Sequence, residues 1–297
     1  MMIMLIKRVK MGEIFIAFQS AKLSLIMVAL LLLLPNIYFQ FYKWRYLVRL
    51  VKFDASNREV LQSLFAGFTF GFITPGRLGE FGRAFFIKNC PWVKVLGIAA
   101  LDKLFSVAVV FLFGSVGLLY LIGKQLFIYT MIPLVTFTAI TLFVFYYILF
   151  HPEIIKSFLY SLNIILPFRE KIKLLISSMD QFTRERAIML LLFNLGFSII
   201  FLAQFYILVI AFQPSAVVPT MLALASTMLV KTMLPISIGD LGIRESAAIY
   251  FLGKIAILES AAFNASILLF LINLLIPSLV GLVLILKHRL FIPNNRK

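Results

Sequence analysis

The sequence predicts an all-α, polytopic integral membrane protein, and three observations carry that prediction. Of 297 residues, 62% are hydrophobic and 13% are charged, and the mean hydropathy is +1.05. Soluble domains are about half apolar and a quarter charged, so this composition needs a lipid solvent. Five apolar stretches, 23–42, 95–122, 127–150, 187–212 and 261–286, each reach the roughly 20 residues that cross a hydrocarbon core. They are apolar on every face, whereas membrane-spanning strands would alternate. With the shorter apolar stretches counted, about six to eight transmembrane helices are expected, in a single transmembrane domain over 1–297.

In chain order, residues 1–20 place Lys7, Arg8, Lys10 and Glu13 among apolar residues, the pattern of an interfacial helix. The run 23–42 is too long for a signal-peptide core and no small-residue cleavage site follows it, so it reads as an uncleaved first span. Residues 151–186 form the longest polar stretch and read as an amphipathic surface hairpin. About 36 residues cannot hold a catalytic soluble domain.

The net charge of +16 resembles that of a nucleic-acid binder, but its distribution argues otherwise. Lys43, Arg45, Arg49, Lys52 and Arg58, and again Lys287 and Arg289, cluster beside the spans. That is the positive-inside pattern together with attraction to anionic headgroups, and nucleic acid is not an expected partner. Cys90 is the only cysteine, so no internal disulfide is possible. His151 and His288 sit at span edges as interfacial residues, and neither metal nor cofactor is expected.

Two apolar stretches are too short to cross simply. The first, 60–74, ends at Pro75; the second, 217–234, contains Lys231 and ends at Pro235. A proline disfavours helix in the residue before it and is tolerated in the first turn of the next. Each site therefore predicts a helix ending, a break and a new helix starting. Similar strings follow. At an offset of 160, Pro75, Gly79, Glu80, Phe81 and Gly82 align with Pro235, Gly239, Asp240, Leu241 and Gly242. This indicates an internal duplication, with a first repeat over 22–122 (motif 71–88) and a second over 187–287 (motif 231–245). Three full spans between equivalent points would make the two re-entrant motifs inverted, as in many transporters.

The chemistry expected at these breaks follows from the residue types. Helices that start inside the membrane leave about four N–H groups without partners, which Thr74 and Ser237 can cap. The remaining donors and the positive dipole end would attract an anion. Pro75, Gly76, Gly79, Gly82, Pro235, Gly239 and Gly242 allow the breaks and close approach. On an α-helical wheel Gly76, Gly79, Glu80, Arg83 and Ala84 share a face, opposite Leu78, Phe81 and Phe85. Asp102 and Lys103 lie inside a span, and Lys231 just precedes the second break. Such intramembrane charges face a cavity or each other.

The substrate-binding set is therefore Thr74, Arg77, Glu80, Arg83, Asp102, Lys103, Lys231, Ser237, Asp240, Arg244 and Glu245. Arg77, Arg83, Lys231 and Arg244 would attract phosphate, and Glu80, Asp102, Asp240 and Glu245 would bind a cationic group or carry coupling protons. The bland reading stands beside it: Glu80–Arg83 and Asp240–Arg244 could simply neutralise each other and pin helices. Gly67-Phe-Thr-Phe-Gly71 reads as a helix-packing motif. Gly76-Arg-Leu-Gly79 is no nucleotide-binding loop, because no Gly-Lys-Ser/Thr follows and no strand precedes it.

At these motifs the chain resembles the flippase-like transmembrane domain of lysylphosphatidylglycerol synthetases and its stand-alone relatives. The resemblance rests on Lys43-Trp-Arg45, on Gly71-Phe-Ile-Thr-Pro75-Gly-Arg77-Leu-Gly79-Glu80-Phe-Gly-Arg83, on Asp102-Lys103, and on Leu234-Pro-Ile-Ser-Ile-Gly239-Asp240-Leu-Gly242-Ile-Arg244-Glu245. Where the family often has a second glycine in the last motif, this chain has Asp240. The resemblance implies a lipid-translocating domain rather than an enzyme, in a prokaryotic plasma membrane. The lipid would be a phospholipid or a polyprenyl-phosphate-linked one. The synthase domain of two-domain relatives is not expected, because the chain ends at Lys297 soon after the last span. A homo-oligomer or a separate lipid-modifying enzyme would be the protein partner. The rival expectations are a membrane-embedded transferase and a non-transporting accessory subunit.

Overall fold

The computed structural model describes residues 9, 11–122, 131–151, 174, 177 and 182–290. The expected surface hairpin at 151–186 and the beginning of the interfacial segment lie largely outside them. The described chain is helical: α1 (Met11–Gln19), α2 (Leu23–Leu31), α3 (Leu33–Val51), α4 (Asn57–Ile73), a 3₁₀ helix (Leu78–Phe86), α5 (Trp92–Ile122), α6 (Met131–Phe150), α7 (Arg184–Phe212), α8 (Val217–Met233), α9 (Ile243–Gly253), α10 (Glu259–Phe270), a π-helical turn (Leu271–Leu275) and α11 (Ile276–Leu290). Four helical stretches among the described residues are long and apolar enough to cross a membrane: Leu23–Val51, Trp92–Leu121, Arg184–Phe212 and Glu259–Lys287. These contain four of the five stretches read from the sequence. Their outer faces carry large exposed apolar side chains such as Leu23, Leu34, Leu192 and Val283, as lipid contact requires.

Both halves share one element order. A long helix is followed by a 17-residue helix, a break, a short helix and another long helix. The halves also exchange packing partners. Helix α8 of the second half lies against α5 of the first, and α4 of the first lies against α11 of the second. Glycines allow both approaches. A Cβ at Gly117 of α5 would fall on the Leu222 carbonyl oxygen of α8, and one at Gly281 of α11 on the Phe65 carbonyl oxygen of α4. The second contact is sealed by Thr69 Oγ1 donating to Ser278 O at 2.8 Å and Ser278 Oγ donating to Phe68 O at 3.0 Å. In a membrane, where lipid tails are as apolar as leucine, such close packing and polar contacts drive helix association.

Both breaks have the expected order of helix end, break and new helix. Helices α4 and α8 do stop just before the Thr74-Pro75 and Leu234-Pro235 steps, but no helix starts at either proline. Each break instead makes a tight turn with two successive left-handed residues. These are Gly76 (φ 57°) with Arg77 (φ 58°), and Gly239 (φ 59°) with Asp240 (φ 62°). Leu78 N–H donates to Pro75 O at 3.2 Å, and Leu241 N–H to Ile238 O at 3.1 Å, so both turns follow the type I′ pattern. The turns correspond at an offset of 163, whereas α4 and α8 correspond at 160. The second break contains three more residues between helix end and turn, so Pro75 and Pro235 keep the register of the helices, whereas Gly79 and Glu80 are not the positional counterparts of Gly239 and Asp240. The two turns meet: Pro75 and Ile238 form an antiparallel bridge, and Gly76 N–H donates to Ser237 O at 3.1 Å.

After the first turn the chain runs as a nine-residue 3₁₀ helix, longer than the usual three or four residues. It is pressed onto α4. A Cβ at Gly79 would fall on the Phe70 carbonyl oxygen, and one at Gly82 would lie 2.9 Å from the Phe70 ring. Gly67 and Gly71 receive Arg83 and Glu80 of this same segment, so the expected packing motif serves the 3₁₀ helix. Three residues per turn place Arg77, Glu80 and Arg83 in line, which replaces the α-helical wheel grouping. Helix α9 begins eight residues past Pro235, at Ile243.

Two apolar cores result. One gathers Trp44, Leu47, Ile98, Phe105 and Leu190; the other gathers Phe205, Leu208, Leu224, Leu252 and Leu269. The polar site lies between them.

Candidate functional site

Every charge singled out at the breaks finds a partner, but not the one expected. Glu80 does not pair with Arg83. One of its oxygens takes Arg77, three residues earlier, and the other faces Lys103 Nζ of α5 at 3.3 Å. Arg83 reaches across to α5, where its Nη2 donates to Asp102 Oδ2 at 2.9 Å. Asp102 Oδ1 lies 2.8 Å from Lys43 Nζ of α3. Likewise Asp240 does not pair with Arg244. It holds Lys231 at 2.8 Å, while Arg244 pairs with its neighbour Glu245.

The result is two triads and two pairs. Lys43–Asp102–Arg83 and Arg77–Glu80–Lys103 each carry two cations on one carboxylate, and Lys231–Asp240 and Arg244–Glu245 are neutral. The first triad is the better supported. The Arg83 guanidinium lies 3.7 Å above the Trp44 ring, a favourable cation–π geometry. Trp44 Nε1 donates to Ser63 Oγ at 3.1 Å, and Ser63 Oγ donates to the Arg83 carbonyl oxygen at 2.8 Å. Lys43 also donates to Asn194 Oδ1 at 3.0 Å. A charge at the bilayer centre costs at least about 2.5–3.5 kcal/mol, and these contacts offset that for buried groups.

The triads line one cavity of about 160 Å³, whose wall includes Lys43, Arg77, Glu80, Arg83, Asp102, Lys103 and Lys231. Five cations and two carboxylates therefore face it. A second cavity of about 110 Å³ shares Arg77, Lys231 and Thr232, but is otherwise mostly apolar, with Val110, Phe113, Phe201 and Met228. A third, of about 40 Å³, is lined by Arg77, Lys231, Asp240 and Arg244 with Asn36, Gln40 and Asn273. Arg77 and Lys231, one beside each break, are common to all three.

Other expected site residues hold the backbone. Thr74 Oγ1 accepts from Gly79 N–H at 2.6 Å and so caps the 3₁₀ helix. Ser237 does not cap: its hydroxyl is buried without a hydrogen-bond partner, because α9 starts six residues later. Glu245, fully buried and lining none of these three cavities, accepts from Gly242 N–H at 2.5 Å, from Arg244 Nε at 3.1 Å and from Ser266 Oγ at 3.0 Å. The start of α9 is thus occupied by the chain's own carboxylate. At the first break, the N–H groups of Arg77, Leu78, Gly79 and Glu80 are all used internally. The backbone donors expected from the sequence to face an anion are therefore engaged within the chain at the first break and at Gly242. Pro235 abuts Gly76, and Gly239 and Gly242 supply positive φ. Among the described residues no three His, Cys, Asp or Glu side chains gather as a metal site would need.

Sequence reasoning left out the amides. Asn36, Gln204 and Asn273 join three helical segments, with Asn36 Nδ2 donating to Asn273 Oδ1 at 3.0 Å and Asn273 Nδ2 donating to Gln204 Oε1 at 2.8 Å. Gln40 Nε2 donates to Asn36 Oδ1 at 2.8 Å. Asn194 binds both Lys43 and Ser106. The signal was present in the sequence, since amides inside apolar spans are costly unless paired.

A model of the lysylphosphatidylglycerol synthase TM region matches residues 1–281. No curated protein and no solved structure matches the chain. The helical membrane architecture, the intramembrane charges at two breaks and a family match over nearly the whole chain agree, and imply a role connected with membrane lipids: this integral membrane protein belongs to the family of the lysylphosphatidylglycerol synthase TM region.

Proposed function

We propose that the protein is a flippase-like transporter that moves a phosphate-bearing lipid between leaflets without modifying it. The headgroup is held in the cavity beside the breaks while the acyl or prenyl chains remain in the apolar surroundings. The observation that carries this reading is the pair of cation-rich triads facing one cavity within a membrane-embedded fold. Charge of that sign, placed where it is expensive, suits a phosphate. The adjoining, mostly apolar cavity, which shares Arg77 and Lys231 with the first, suits the hydrocarbon next to the phosphate. The exchanged packing of the two halves and the contact between their turns provide elements that could rock against each other, the usual basis of alternating access.

Reconstitution into vesicles with acyl-labelled phosphatidylglycerol in both leaflets tests the reading. A membrane-impermeant quencher then reports how fast protected lipid becomes accessible. Transport by the unaltered protein, with at least about tenfold loss in Arg77→Ala and Arg83→Ala, is expected when a charge-assisted contact is removed. Rates equal to protein-free vesicles, or variants as fast as the unaltered protein, would refute it.

A further inference from the structure

We infer that the cavity selects a lipid whose phosphate charge is uncompensated, and discriminates against headgroups that add an amine. The inference rests on the transport reading above and names its substrate class. Its basis is that the chain's own cations already occupy the carboxylates. Both Asp102 oxygens lie within 3 Å of a cation: Arg83 hydrogen-bonds Oδ2 at 2.9 Å, and Lys43 neutralises Oδ1 at 2.8 Å by charge contact without a hydrogen bond. Both Glu80 oxygens face cations, Arg77 and Lys103. Asp240 holds Lys231, and Glu245 is sealed behind Arg244 and the start of α9.

An incoming ammonium would have to displace an arginine or a lysine to find a counter-charge, and would leave that cation unmatched in a low-dielectric site. An anion meets the opposite situation. The two triads are each one positive charge in excess and line the same wall. Donors also remain: Arg77 Nε and Arg83 Nε are both buried without a hydrogen-bond partner. Lys103 is 41% exposed on the cavity side of its triad. Beyond Arg77, the small cavity presents Gln40, Asn36 and Asn273. These amides hydrogen-bond one another and add no charge to the wall.

The shared chemistry is thus a phosphate with no compensating amine, either a diester with a neutral headgroup or a monoester. Binding is measured first, in detergent, as the shift in melting temperature produced by short-chain phosphatidylglycerol, phosphatidic acid, phosphatidylcholine and an aminoacylated phosphatidylglycerol. The vesicle assay is then run with the labelled long-chain forms. Phosphatidylglycerol or phosphatidic acid should bind at least about tenfold more tightly than the two amine-bearing lipids, the scale of one charge-assisted contact. The stronger of the first two identifies diester or monoester. Lys103→Gln should weaken the anionic lipids about tenfold and leave phosphatidylcholine unchanged. The inference fails if the aminoacylated lipid binds as tightly as its parent, or if Glu80→Gln selectively abolishes aminoacylated-lipid binding. Selective anionic binding without movement in vesicles would overturn the transport reading and leave this one standing. Movement of all four lipids at one rate would do the reverse.

Discussion

The two breaks begin alike and end differently. Each has a glycine followed by a non-glycine residue in left-handed geometry, and these turns touch through Pro75 and Ile238. At the first break the second turn residue is a cation, Arg77; at the second it is an acid, Asp240. Beyond the first, a 3₁₀ helix aligns Arg77, Glu80 and Arg83 along the cavity and leaves positive charge in excess. Beyond the second, an α-helix starts with a buried carboxylate on its N-terminus, and the charges cancel in pairs. One turn geometry thus serves two purposes: the first break presents charge in excess to the cavity, and at the second the charges, Lys231 among them on the cavity wall, are matched in pairs.

The largest test of that division compares two acids. Asp102→Asn leaves both Lys43 and Arg83 buried without a counter-charge, and loss of a buried partner costs about 3–5 kcal/mol. Asp240→Asn frees only Lys231, whose side chain is 18% exposed, so less than about half that loss is expected. Melting temperatures in detergent should rank the two accordingly, and equal losses would erase the distinction between triad and pair.

Next come the turn glycines. Gly76→Ala forces a side chain into positive φ, at about 1–2 kcal/mol, and sets its Cβ 2.6 Å from Pro235 Cβ. Gly239→Ala carries the same φ penalty, but its nearest neighbour is a Phe270 ring carbon at 3.2 Å. The first substitution should therefore lower the melting temperature more. The reverse order would mean that the contact between the halves yields easily at Pro235.

The smallest effects separate the hydroxyls. Thr74→Ala removes the acceptor for Gly79 N–H and should cost about 1 kcal/mol. Ser237→Ala removes a buried hydroxyl that has no partner and should change stability by less than about 0.5 kcal/mol in either direction. A loss at Ser237 equal to that at Thr74 would show that the second break is capped after all.

How much of the site could be read from sequence depends on the distance over which it is assembled. Arg77, Glu80, Asp102, Lys103 and Lys231 stand out in apolar surroundings, so their gathering at a cavity follows from the cost of intramembrane charge. Their pairing does not follow. Arg83 and Asp102 are 19 residues apart, and Lys43 and Asn194 are 151 apart. Nearest-neighbour rules for an α-helix chose Glu80–Arg83 and Asp240–Arg244 instead. Those rules assume α-helical spacing directly after the breaks, and the type I′ turns and 3₁₀ helix remove that assumption.

By itself, the sequence determined the solvent, the helical class, the ends of α4 and α8 and which residue types would be exceptional at membrane depth. These depend on local hydropathy and on the steric effect of proline on the preceding residue, both properties of a short stretch of chain. Tertiary structure alone decided the register of 163 between the turns, the exchange of packing partners and the ownership of each carboxylate. Those outcomes depend on how closely Gly79 and Gly82 let one backbone approach α4, and on which cation α3 and α5 bring within reach of Asp102. Neither quantity exists until the helices are packed.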